Sequence, residues 1–152
     1  MTKKAIVVRI ALLGTFVLSG CMFSVPIDIS GVWEGTLIWT DGPATGAASL
    51  FSLDLFLDNR NVTGTITLTS HSALMFSLPI TQGAAKNRSI TLTASGTNPH
   101  INPNPSVSIT LEGDYDADQM SGTGSQTIDG NIYHFTWEAT LIESAALPES
   151  LL

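Results

Sequence analysis

Three aspartates stand at alternate positions, Asp114, Asp116 and Asp118. That spacing opens the calcium loop of an EF-hand, where carboxylate oxygens converge on one hard cation. The pattern then fails: Gln119 stands where the loop needs its turn glycine, and Ser125 where it needs a bidentate glutamate. A solvated acidic turn is the expected role, with weak calcium binding as the alternative. The histidines, His71, His100 and His134, are far apart and none sits in a metal-ligand spacing such as H-E-x-x-H. Asp54 is flanked by Leu53 and Leu55, but alternation places it on the opposite, solvent-facing side of a strand. There is no Gly-x-Ser-x-Gly elbow, Walker loop or dinucleotide fingerprint. No enzymatic activity and no cofactor are therefore expected.

The aromatic residues are the best candidates for binding. Trp33, Trp39, Tyr133, Phe135 and Trp137 fall on the first and last apolar segments of the chain. If the chain closes into a barrel, those segments become neighbours. Trp33, Trp39, Tyr133 and Trp137 are then expected to line a mouth for a small apolar or sugar-like ligand. The competing reading is plain core packing, since small barrels are often filled by their own side chains.

Strands must position these residues. Eight segments alternate apolar and polar residues with period two, the mark of a strand with one buried face. They span 32–39, 49–57, 62–69, 73–81, 89–95, 106–112, 119–127 and 131–142. The third is the cleanest: Val62, Gly64, Ile66 and Leu68 alternate with Thr63, Thr65, Thr67 and Thr69. The seventh is the weakest, with only Met120, Gly122 and Gly124 on its apolar side. Short polar turns join most of them, and Asp129-Gly130 is a favoured two-residue hairpin turn. A longer loop from Gly96 to Pro105 holds three prolines, which cannot donate to a ladder. The expected fold is all-β, a single antiparallel meander of about eight strands closing into a small barrel, with a β-sandwich as the alternative.

The first twenty residues read differently. Lys3, Lys4 and Arg9 make a positive start, Ile10 to Leu18 is mostly apolar, and Leu18-Ser19-Gly20-Cys21 closes the segment. Positive end, apolar middle and small-residue cleavage site make a secretory signal peptide, too short to span a bilayer. The organisation expected is signal peptide 1–20, linker 21–30, barrel domain 31–142 and tail 143–152.

Leu18-Ser19-Gly20-Cys21 resembles the lipobox of bacterial lipoproteins. The resemblance implies that Cys21 is joined to diacylglycerol and becomes the first residue of the mature chain. It implies a membrane partner held through the acyl chains; two or three chains hold firmly, because each buried CH₂ adds about 0.8 kcal/mol. Met22 follows the cysteine, where an aspartate would signal retention at the inner membrane in enteric-type lipoproteins. The resemblance thus implies the outer membrane, if the host has two membranes. In the mature domain, Gly31-Val32-Trp33 with Gly35 is similar to the Gly-x-Trp start of lipocalins and avidin-like barrels, where the tryptophan plugs one end. Asn61-Val62-Thr63-Gly64-Thr65 is also similar to an avidin-like strand. The basic residue that packs over the tryptophan in lipocalins has no counterpart, since no Arg or Lys follows Arg88.

Composition narrows the function classes. Removing twenty residues from 152 leaves 132, enough for one domain with its own core. Cys21 is the only cysteine, so the mature domain has no disulfide to staple it. Arg60, Lys86 and Arg88 stand against thirteen acidic residues after the cleavage point, a formal charge of −10. That argues against nucleic acid, which requires a basic footprint, and against broad attraction to anionic lipid headgroups. Two functions are expected of such a chain: binding a small apolar ligand inside the barrel, or presenting a filled barrel to another envelope protein.

Overall fold

The computed structural model describes residues 27–69 and 75–144. The expected signal peptide, Cys21, His71 and the tail from 145 onward lie outside the described residues. Eight antiparallel strands follow one another around a closed barrel: β1 (Gly31–Trp39), β2 (Ala48–Asp58), β3 (Asn61–Thr69), β4 (Met75–Lys86), β5 (Ser89–Thr97), β6 (Ser106–Tyr115), β7 (Gln119–Ile128) and β8 (Asn131–Ser144). This is the expected meander, and the sandwich is ruled out by its closure. β1 pairs with β8 from Gly31↔Ser144 to Trp39↔Phe135. Every strand therefore has a partner on both sides, which removes the exposed edges that invite aggregation.

Alternation decides what faces inward. Phe51, Leu53 and Leu55 of β2, Ile66 of β3, Ile90 and Leu92 of β5, and Ile109 and Leu111 of β6 are buried in one continuous core. Their neighbours on the outer wall are mostly threonine and serine, some tied across strands, as where the Thr67 and Ser77 hydroxyls lie 2.7 Å apart. A membrane-spanning barrel carries its apolar band outside; this one carries it inside, so the barrel wall is built to face water.

β4 runs to Lys86, five residues past its expected end. The reason is a bulge: the β4–β5 register shifts between Ile80 and Gln82. Before it Phe76 and Leu78 point inward; after it Ala85 does. An extra residue moves the buried set from even to odd positions and breaks the period on which the segment was read. β8 likewise extends to Ser144, two residues beyond the expected domain boundary. Two hairpins turn on residues with positive φ at both centres, Asn87-Arg88 (53° and 67°) and Asp129-Gly130 (49° and 83°). That matches the twist of the strands they join.

The barrel has two unlike ends. At the proximal end the chain enters through Ile27–Ser30, beside the turns at 59–60, 87–88 and 116–118. At the distal end lie the loops 40–47 and 98–105 and the turn 129–130.

Candidate functional site

The proximal end is closed by the entering segment. Ile29 is fully buried, and its carbonyl accepts the Trp33 indole N–H at 2.9 Å. The Ser30 hydroxyl accepts the Leu57 N–H at 2.9 Å, which ties the segment to β2 as well. Trp33 is itself fully buried. It fills the base of the barrel and lines no mouth.

The middle of the barrel is filled by rings. Trp137 is buried, donates its indole N–H to the Thr123 carbonyl at 2.9 Å, and meets Phe51 edge-on with centroids 6.2 Å apart. Phe135, 1% exposed, meets Trp39 edge-on at 5.4 Å. These rings fit because glycines stand against them. A methyl group at Gly35 would lie 2.7 Å from the Phe51 ring, and one at Gly124 would lie 2.6 Å from Phe135 Cζ. The poor hydrophobicity of the seventh strand thus has a packing cause: its inward Gly124 leaves space for the Phe135 ring of β8, and Gly122 lies against the backbone of β6. Native interiors are packed to crystal density, so a large residue facing a small one is how a narrow barrel fills.

At the distal end Trp39 and Tyr133 are half-buried and meet edge-on at 6.4 Å. The four aromatic residues expected at a mouth are therefore divided: Trp33 at the base, Trp137 in the middle, Trp39 and Tyr133 at the distal rim. Beside that pair, Asp41 reaches across from the β1–β2 loop. One of its carboxylate oxygens accepts the His134 backbone N–H at 2.7 Å and the other meets His134 Nδ1. The backbone N–H of His134 and then its ring hold the Asp41 carboxyl below the ordinary aspartate value of 3.8, against a smaller opposing effect of burial. The pair latches the loop to β8, and no sequence signal points to it, because 93 positions separate the two residues.

Asp54 is exposed on the outer wall, as alternation requires. Asp114 accepts a hydrogen bond from the Ser89 hydroxyl at 3.0 Å, and Asp116 pairs with Arg88 at 2.9 Å. These aspartates are engaged with side chains of the neighbouring hairpin. Among the described residues no group of three His, Cys, Asp or Glu side chains is arranged to hold a metal ion. His100 Nε2 lies 2.9 Å from the Met75 carbonyl, so the proline-rich loop is fastened to the start of β4.

Shallow clefts among the described residues lie on the outer wall. One, about 720 Å³, runs along β7, β8 and β1 toward the proximal turns and is lined by Glu34, Thr36, Ser121, Glu138 and Asp114 with Arg88. A smaller one of about 350 Å³ includes Ser125, His134 and Thr136.

Exposed character also divides by end. Of the seven large apolar side chains exposed among the described residues, Ile38, Leu50, Met75, Ile101 and Ile132 are distal, while Phe56 and Ile142 are proximal. Arg60, Lys86 and Arg88 are all proximal. No protein-family model and no curated protein sequence matches this chain.

Proposed function

We propose that this chain is a lipid-anchored envelope protein without enzymatic activity, whose filled barrel acts through its surface by presenting the distal rim to another envelope protein. The packed interior carries this reading: Trp33, Phe135 and Trp137 occupy the space that a ligand would need. Anchoring rests on Leu18-Ser19-Gly20-Cys21 at the end of the signal-like segment. With acyl chains on Cys21 and Met22 after it, the expected address is the outer membrane where the host has two. The anchor leads into the proximal end, which leaves the distal rim facing away from the bilayer. That rim carries Ile38 and Leu50 on adjacent strands, and Met75 beside the loop that bears Ile101. Exposed apolar side chains on one end of a soluble wall favour a protein partner.

In-host photocrosslinking from Leu50 and Ile101 tests this. Protein adducts from both positions, with none from Thr65 on the mid-wall, are expected. No protein adduct from either distal position would overturn the reading.

A second reading is favoured by one observation. Trp39 and Tyr133 are half-buried at the rim and set edge-on, a geometry that could hold a small apolar ligand at the distal mouth.

A further inference from the structure

We infer that the proximal rim on the β2–β5 side is a foot that rests on the phospholipid bilayer, with Phe56 entering the headgroup region and Arg60 and Lys86 meeting lipid phosphates. The inference rests on the reading that Cys21 is acylated.

Tether length sets the reach. Ile27 packs against the core and Ile29 is fully buried at the barrel base. Only residues 22–26 therefore separate Cys21 from the packed segment. Six residue steps, fully extended, span at most about 21 Å. An anchor that short keeps the proximal end beside the bilayer and leaves orientation as the main remaining freedom.

Surface chemistry selects which side of that end leans down. Phe56 is 61% exposed at the proximal end of β2, on the outer wall. Arg60 lies in the next turn, and its carbonyl accepts the Ala85 N–H at 2.9 Å. That bond brings the β2–β3 turn against the end of β4, where Lys86 follows Ala85. Both cationic side chains are exposed. An aromatic ring with cationic neighbours at one rim is the composition that interfacial anchors use, the ring among headgroups and the cations toward phosphate.

The acids at this end argue for a lean in the same direction. Asp114, Asp116 and Asp118 gather at the β6–β7 turn, and Asp116 holds Arg88. Asp54 and Asp58 each stand two residues from Phe56 on β2, and the Asp58 carboxylate accepts from the Asn59 side chain; Asp28 and Glu143 lie near the chain entry and the end of β8. The chain as a whole is acidic, so the acyl chains supply the attachment and the foot sets the orientation.

The test uses the acylated chain in vesicles of phosphatidylethanolamine and phosphatidylglycerol containing headgroup-nitroxide lipid. Cys21 is consumed by acylation, so Thr63→Cys, opposite Phe56, or Leu50→Cys, on the distal part of β2, provides the only thiol for a fluorophore. Both positions are exposed on the outer wall. The expected result is quenching several-fold stronger at position 63 than at position 50, lost when Phe56→Ser, Arg60→Ser and Lys86→Ser are combined while the protein still floats with the vesicles. Flotation with equal quenching at both positions, or with none, would overturn the foot and leave the anchor standing. A chain that carries no acyl group and does not float would overturn both.

Discussion

The Phe51 ring stands 2.7 Å from the point a methyl group would occupy on Gly35, its neighbour across the β1–β2 ladder. The Glu138 carbonyl closes the same space from β8. Backbone cannot yield as a flexible side chain does, so Gly35→Ala forces ring and strands apart. Overpacking of this kind costs about 1–3 kcal/mol. Urea titration should show a lower midpoint with an unchanged slope. A midpoint at or above the parent value would mean that the barrel interior has room to spare.

Trp137→Ala removes a buried ring and its hydrogen bond to Thr123. Truncation of a large core aromatic costs about 3–5 kcal/mol. Trp39→Ala should cost less, because Trp39 is only half-buried. Equilibrium unfolding of the two variants checks the order. Equal, small losses would contradict a filled core and favour a mouth lined by both tryptophans.

Much of this was legible in the residues. The alternation of Val62, Ile66 and Leu68 with threonines placed β3 and its buried face, and the same rule placed Asp54 outside. Eight strands made closure possible, but the periodicity left a sandwich open, and only the pairing of β1 with β8 decides it. Two things were not legible. The bulge at residue 81 shifts the inward set by one, which a strict period-two reading treats as the end of a strand. The Asp41–His134 contact depends on bringing β1 against β8, and neither residue carries a local signal of its partner. The division of the four aromatic residues between base, middle and rim was hidden for a related reason: alternation gives the face of a residue, while its height in the barrel depends on register.

The Asp41–His134 latch makes the distal end acid-sensitive. The folded carboxyl titrates below the ordinary value of 3.8, so its contribution to stability is complete above that value. It is lost as pH falls through the lower folded value. Asp41→Asn should therefore flatten the acid limb of the Tm-against-pH curve and leave its neutral region with the smaller change in slope. An acid limb identical in the two proteins would show that the carboxylate contributes nothing to the fold.

Asp114 and Asp116 are held by Ser89 and Arg88, and the EF-hand spacing fails at Gln119 and Ser125. Chelator should leave Tm unchanged. A rise in Tm with calcium, growing with its concentration as linked binding requires, would restore the acidic turn as a cation site.

We propose an acylated chain with a filled barrel. It is tested most directly by native mass spectrometry of the mature protein purified from its host's membranes, before and after mild denaturation. The predicted result is a chain beginning at Cys21 that carries acyl groups and no other stoichiometric mass. An unmodified Cys21, or a small molecule released on denaturation, would contradict it.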